Sequence, residues 1–494
     1  MSRRTSIDEL ERLLLSYHSL IAIETVEEER VRSMVREVAV RLHQPFYEWS
    51  VTAGLSRMNG STLEGTTDAF SMLQRIDELQ EKNAVYLLKD LTSYLNPIAT
   101  RALRELTARM ASSRSAIVLT GEPIELPRDL DALAMRFKLR LPDEQEIRET
   151  VRQVIDSMTA RKRFAIELTR DEAQRLIRAL SGLTIGEIRR VIAQAILEDG
   201  KLSGEDIDRV IRLKGQIIER GGILEFFPLD ANKFELGGFS RLKAWLEQAR
   251  IGFSAEARAI NLAPPKGILL VGVQGCGKSL AAKFIARQWR LPLLKLDAGR
   301  LYDKYVGESE KNFRKAVSMA EAMAPVVLWI DEIEKAFSSG PSEQDAGLSQ
   351  RLFGAMLTWL QEKRQEVFVV GAANDLNRLP PEFLRKGRFD EIFFVDLPTA
   401  DERKQIFSIH LGLRKQDPAV FDLAQVVAAA EGFSGAEIEQ SVIAALYRSL
   451  HRKETLNTTS LLDAIGSTVP LSKSRREDIA ALRAASAGRF TPVS

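Results

Sequence analysis

Apolar runs of strand length, each bounded by glycine, proline or acidic residues, alternate along this chain with stretches whose apolar residues recur at helical spacing. In the second half, Gly267 to Val271 fits a buried parallel strand and Leu280 to Trp289 fits a helix, so a glycine-rich turn lies between them. "APVVLWIDEIEKAF" is a second apolar strand, ending in Asp331 and Glu332, and "EVFVVGAAN" is a third, ending near Asn374. Buried strands that alternate with helices predict an α/β fold with a parallel sheet between helices.

A length of 494 residues exceeds what one hydrophobic core usually serves and predicts two or three domains. Lysine plus arginine (70) and aspartate plus glutamate (68) nearly cancel, leaving a formal charge of +2, so no global field favours nucleic acid or an acidic membrane. The single cysteine excludes an internal disulfide, and with four histidines it argues against structural zinc; both fit a reducing cytoplasm. The apolar patch near the N-terminus is interrupted by Ser16, Tyr17 and His18, so neither a signal peptide nor a membrane-spanning helix of about 20 apolar residues is expected. The expected location is cytoplasmic.

The turn after the first strand reads "GVQGCGKSL" and completes the spacing G-x-x-x-x-G-K-S. Gly272, Gly275 and Gly277, with Val273, Gln274 and Cys276 between them and Leu280 just after, allow backbone N–H groups to converge on phosphate oxygens. Lys278 reaches the β- and γ-phosphates, and Ser279 ligates magnesium. At the end of the next strand, Asp331 supports the Mg²⁺ shell and Glu332 polarises the attacking water. ATP and Mg²⁺ are the expected cofactors.

From about Phe234 to about Leu471 these motifs resemble the AAA family of ring-forming ATPases. The resemblance implies a Walker A loop at Gly272–Leu280 and a Walker B strand ending at Asp331, with Glu332 as catalytic base and Asn374 as the sensor of the attacking water. It makes Arg385 and Arg388 arginine fingers that reach the nucleotide of a neighbouring subunit, which implies a homo-oligomer, a hexamer. It places Gly237 of "FELGGF" against adenine, and Ile406, His410, Gly435 and Ala436 of the lid around base and ribose. "LYDKYVGESEKNF" resembles the first pore loop, so Lys304, Tyr305 and Val306 would face the channel and grip an extended polypeptide; a second pore loop is expected near Ser338 to Leu348. Val273, Gln274, Cys276, Ser279 and Lys386 depart from the usual family residues. They move the resemblance toward the AAA ATPases of algal plastid and cyanobacterial genomes and their bacterial relatives. A redox switch at Cys276 requires a thiolate favoured by the helix N-terminus that follows it.

The first half echoes the second at an offset of about 250 residues, which reads as a duplication. "LPRDLDALAMRFKLRLPDEQEIRE" parallels "LPPEFLRKGRFDEIFFVDLPTADERK", and "GLTIGEI" parallels "GFSGAEI". Leu20 to Glu24 stands for the first strand, and "QPFYEW", "AVYLLKDL" and "SAIVLTGE" for the next three. After "LIAIET" no glycine loop follows, and Asp90 is succeeded by Leu91, which leaves no catalytic glutamate. The expected architecture is a degenerate AAA-like α/β module at 1–205 without a P-loop and a docking linker at 206–233. A P-loop AAA+ α/β domain at 234–398, a helical lid at 399–470 and a frayed tail at 471–494 complete it. The expected activity is ATP hydrolysis that threads or remodels a protein client through the Tyr305 loops. An ATP-switched assembly or regulatory scaffold is the competing reading. A nucleic-acid motor lacks a basic stretch interleaved with aromatics.

Overall fold

The structure is a computed structural model that describes residues 6–494 apart from 59, 160–164, 221, 228–234, 298–300, 302–307, 338–342, 364 and 386. Its chain divides into two compact units: residues up to Leu168 with Leu183–Leu202, and Thr169–Gly182 with Ser203–Ser494.

The first unit is built on strands β1 (Leu20–Glu24), β2 (Phe46–Ser50), β3 (Gly54–Arg57), β4 (Val85–Lys89), β5 (Ala116–Gly121) and β6 (Met135–Arg136). They lie in the order β3-β2-β4-β5-β1-β6, all parallel except the β2/β3 hairpin. Side chains alternate across the pleat, as a strand buried on both faces requires. Leu20 and Ala22 join a core with Met72, Leu73, Leu103 and Leu106 from the helices Ala69–Leu79 and Pro97–Ser113. Ile21 and Ile23 face Val31 and Val35 of the helix Glu28–Arg41 on the other side.

In the second unit the strands are β7 (Leu224–Phe227), β8 (Gly267–Gly272), β9 (Leu293–Asp297), β10 (Val326–Asp331), β11 (Val367–Ala373), β12 (Glu391–Val395) and β13 (Thr491–Pro492). Their order is β13-β12-β8-β11-β10-β9-β7, parallel except for β7. Leu269 and Val271 face the helices Glu308–Ala322 and Glu343–Glu362, while Ile268 and Leu270 face Ser240–Ala249 and Lys278–Trp289. The helices Ala400–Leu413, Leu423–Ala429, Gly435–Arg452 and Thr458–Gly466 share a separate core around Phe407, Val426, Ile438 and Leu461.

The five parallel strands of the first sheet, β2-β4-β5-β1-β6, match β9-β10-β11-β8-β12 of the second in both order and chain sequence. This agreement supports the duplication far more strongly than the two short sequence echoes do. One register differs from the sequence reading. Asp90 turns into the left-handed region at φ 52, as Glu332 does at φ 48, so Asp90 stands at the Glu332 position and Lys89 at that of Asp331. A carboxylate is therefore kept, but its neighbour has reversed charge. Lys89 pairs with Glu28 at 2.8 Å, and no glycine loop separates β1 from the helix that Glu28 begins. An internal ion pair takes the ground where a P-loop would present cationic and N–H groups to phosphate.

The docking linker is helical at Asp206–Arg220, as its residue spacing suggests, and the apolar residues that close it form β7, an antiparallel edge on β9. One segment departs from the sequence expectation. The tail is not frayed: Arg476–Ser486 is helical and β13 pairs with β12, covering an edge that would otherwise leave ladder groups unpaired. Val493 is buried beside Leu236 and Phe239. A strand of two residues carries no periodic signal, which is why the sequence hides it.

Candidate functional site

Strand β8 ends at Gly272, where a Cβ would lie 1.9 Å from the Val395 carbonyl oxygen of β12, so only glycine permits this strand spacing. Gly277, at φ 92, caps the helix Lys278–Trp289 and aims its first N–H groups into the turn. Lys278 is buried, and its ammonium donates to the carbonyl oxygens of Gly272 and Val273, both at 2.8 Å. Burial pushes this amine down to about 8. Cys276 is also buried, and burial pushes its thiol up to about 12. The thiolate required for a redox switch at Cys276 is therefore disfavoured, because desolvation outweighs the pull of Lys278.

The ends of β10 and β11 bring the carboxylates to this turn. Ser279 Oγ donates to Asp331 Oδ1 at 3.5 Å. Glu332, in the left-handed region, projects from the strand end and pairs with Lys335 at 2.6 Å. Glu334 is buried, accepts the Asn374 N–H at 2.9 Å through Oε1, and leaves Oε2 without a partner. Burial raises the carboxyl groups of both Asp331 and Glu334. Four acidic or amide side chains thus stand at two adjacent strand ends beside the buried Lys278.

The helical region closes over the same turn. The Ala436 N–H donates to the Gly275 carbonyl at 3.0 Å, and Gly237 packs so near Ile406 that a Cβ there would meet Ile406 Cγ1 at 3.0 Å. His410 lies between Arg414 Nη1, 3.3 Å from its Nδ1, and Glu439 at 3.6 Å; burial lowers its basicity. These groups line a cleft of about 820 Å³. Gly237, Gln274, Gly275, Cys276, Gly277, Lys278, Ser279, Leu280, Asp331, Glu332, Asn374, Ile406, His410, Gly435 and Ala436 all face it. Gly272 and Val273 do not line it but supply the carbonyls that hold Lys278. Arg385 is exposed and Arg388 is half-buried with Nε unpartnered; neither lines the cleft of its own chain. Lys304, Tyr305 and Val306 lie outside the described residues, as do residues 338–342 of the expected second pore loop, whereas Glu343 to Leu348 belong to a helix.

Residues 268–397 match the family described as "ATPase family associated with various cellular activities (AAA)". Residues 6–139 match the SpoVK-like AAA ATPase N-terminal domain and residues 145–221 its second domain. An uncharacterized AAA domain-containing protein ycf46 from Trieres chinensis is 36% identical over 494 residues, covering 99% of this chain and 98% of that protein. The chain belongs to the AAA ATPase family. An uncharacterized AAA domain-containing protein ycf46 from Guillardia theta is 36% identical over 487 residues, covering 98% of this chain and 95% of that one. A proteasome-activating nucleotidase from Archaeoglobus fulgidus is 36% identical over 185 residues, 36% of this chain and 46% of its own length. As a family ATPase the protein binds and hydrolyses ATP. Among the described residues, no helix is long and apolar enough to cross a membrane.

Sequence reasoning does not reach Glu334, Phe239, Glu402 or Ser494, all placed at or beside the cleft. Glu334 was discoverable as the third acid of "DEIE"; Ser494 carries no local signal.

Proposed function

We propose that the cleft is the site of ATP hydrolysis, and that turnover drives remodelling or threading of protein clients by a ring of subunits. The observation that carries this reading is the convergence of Lys278, Ser279, Asp331, Glu332 and Asn374 on one cleft from three strand ends. Lys278, held at the loop carbonyls, is set to transfer its hydrogen bonds to β- and γ-phosphate oxygens. Gly275 and Gly277 open the turn so that backbone N–H groups point at the same oxygens. Glu332 orients and deprotonates the attacking water, and Asn374 fixes that water, its own backbone being anchored by Glu334.

The donor set fits Mg²⁺. The described residues contain no group of three or more His, Cys, Asp or Glu able to hold a metal, whereas a serine hydroxyl and a carboxylate stand together as hard oxygen donors. Ser279 and, through water, Asp331 would hold the ion, which supplies charge neutralisation for the phosphates. Base and ribose lie between Gly237 and the lid residues Ile406, His410, Gly435 and Ala436. Arg385 and Arg388 complete the site of the next subunit in a homohexamer; their absence from the cleft of their own chain supports this role.

The threading part rests on the pore-loop resemblance of Lys304, Tyr305 and Val306, and a relative named proteasome-activating nucleotidase supports work on protein. The test is ATPase stimulation by an unfolded protein, with Tyr305→Ala as the comparison. Stimulation lost in Y305A with basal turnover kept is the expected result. Equal stimulation in both, or none in either, refutes threading and favours the ATP-switched scaffold.

A further inference from the structure

We propose that Val493 and Ser494 are positioning residues of the nucleotide site, fixing the backbone of Leu236–Phe239 where it forms one wall of the cleft and joining it to the lid. The wall segment is conformationally expensive. Phe239 sits at φ 60, a region a bulky aromatic enters only when its surroundings hold it there, and as the residue before the helix Ser240–Ala249 it provides no side-chain cap.

The tail supplies what the segment lacks. The Val493 carbonyl accepts the N–H groups of Arg241 and Leu242 at 3.0 and 3.2 Å, capping the helix from a distant part of the chain. The Phe239 N–H donates to Ser494 Oγ at 3.0 Å, and that hydroxyl in turn donates to Glu402. Glu402 lies in the first turn of the lid helix Ala400–Leu413, and Gln405, one residue before Ile406, accepts the Gly238 N–H at 2.8 Å. Ser494 therefore ties the wall on one side to the lid on the other, while Val493 packs its side chain between Leu236 and the core of the sheet. Burial works to raise the Glu402 carboxyl, but hydrogen bonds from Ser494 and Thr399 outweigh it and hold the group below its ordinary value, as befits an ionised acceptor. Pro492, Val493 and Ser494 also line the cleft directly. Loss of the tie leaves Phe239 free to relax, and with it Gly237, whose separation from Ile406 leaves no slack.

The inference rests on reading this wall as the one that meets the base, and its test separates the two claims. Equilibrium binding of ADP and GDP is measured by calorimetry on the full chain and on Ser494→Ala, Ser494→Thr and a chain lacking residues 491–494; ATP turnover is followed in parallel. Removing the hydroxyl deletes two hydrogen bonds, one of them to a carboxylate, and is expected to weaken ADP binding and raise KM about fivefold. The preference for ADP over GDP falls, kcat stays within about twofold, S494T binds like the parent, and the shortened chain loses more. Unchanged Kd, KM and base preference in both S494A and the shortened chain overturn the proposal, as does a fall in kcat alone or an S494T as impaired as S494A. If the shortened chain does not fold, the alanine and threonine pair decides. A parent protein that binds no ADP at all refutes the base-wall reading itself.

Discussion

Replacing Lys278 with methionine is expected to make the nucleotide-free protein more stable and the nucleotide-loaded protein less so. Lys278 is 6% exposed, and the only described hydrogen-bond acceptors of its ammonium are two loop carbonyls. Its displacement from 10.5 to about 8 corresponds to about 3 kcal/mol of disfavoured charge at neutral pH. Methionine removes that cost but leaves the carbonyls of Gly272 and Val273 without a donor, which returns roughly 1 kcal/mol each. A net gain of about 1 kcal/mol remains, a rise of roughly 2–4 °C in melting temperature for a unit of this size. ATP at about 100 times Kd then stabilises the parent by roughly 2.7 kcal/mol and the variant hardly at all, so the order of melting inverts. The pH dependence has a definite sign. Between about 8 and 10.5 the unfolded chain keeps the proton that the folded chain has lost, so the lysine's cost is constant below about 8 and fades as pH rises through this window. The gap between K278M and parent, measured by thermal melting in metal-free buffer, should therefore narrow from pH 8 to 10. A variant that melts below the parent without nucleotide, or a gap independent of pH, refutes the reasoning.

Gly272→Ala places a methyl 1.9 Å from a backbone oxygen of the adjacent strand, and should lower the urea midpoint by the equivalent of about 3 kcal/mol or prevent folding. Because burial holds the Cys276 thiol near 12, iodoacetamide at pH 8 should leave the folded protein unlabelled and its ATPase rate unchanged; labelling within minutes contradicts the described burial. Arg385→Ala should keep ATP binding yet lose turnover by about 10³-fold, and mixing it with a Glu332→Gln chain should restore part of the rate, since each supplies what the other lacks. A mixture as inactive as its components contradicts fingers acting between subunits.

The strand-by-strand agreement of the two sheets shows how much of the fold was legible. Continuous apolar runs such as "GILLV" and "VVLWI" have one physical solution, a strand buried on both faces, and the motif at Gly272–Ser279 fixes where the site opens. That Lys278, Ser279, Asp331 and Glu332 share one cleft follows from the spacing of a glycine loop, a helix start and an acid-ended strand, whereas Asn374 was reached only through the family resemblance. The Asp90 register was not readable, since strand endings are set by the turn geometry that follows and not by apolar pattern. Neither β13 nor Ser494 could be read, because their contacts are with residues 92 or more positions away and depend largely on backbone groups that any sequence provides.

The measurement that bears most directly on the central claim is Glu332→Gln assayed for phosphate release and, on the same preparation, for ATP binding. In the proposed role Glu332, which lines the cleft, takes a proton from water and does not hold nucleotide, so release should fall by about 10²–10⁴-fold while ATP affinity stays within a few-fold of the parent. Phosphate release at the parental rate would show that the base lies elsewhere and that this cleft has been assigned the wrong chemistry.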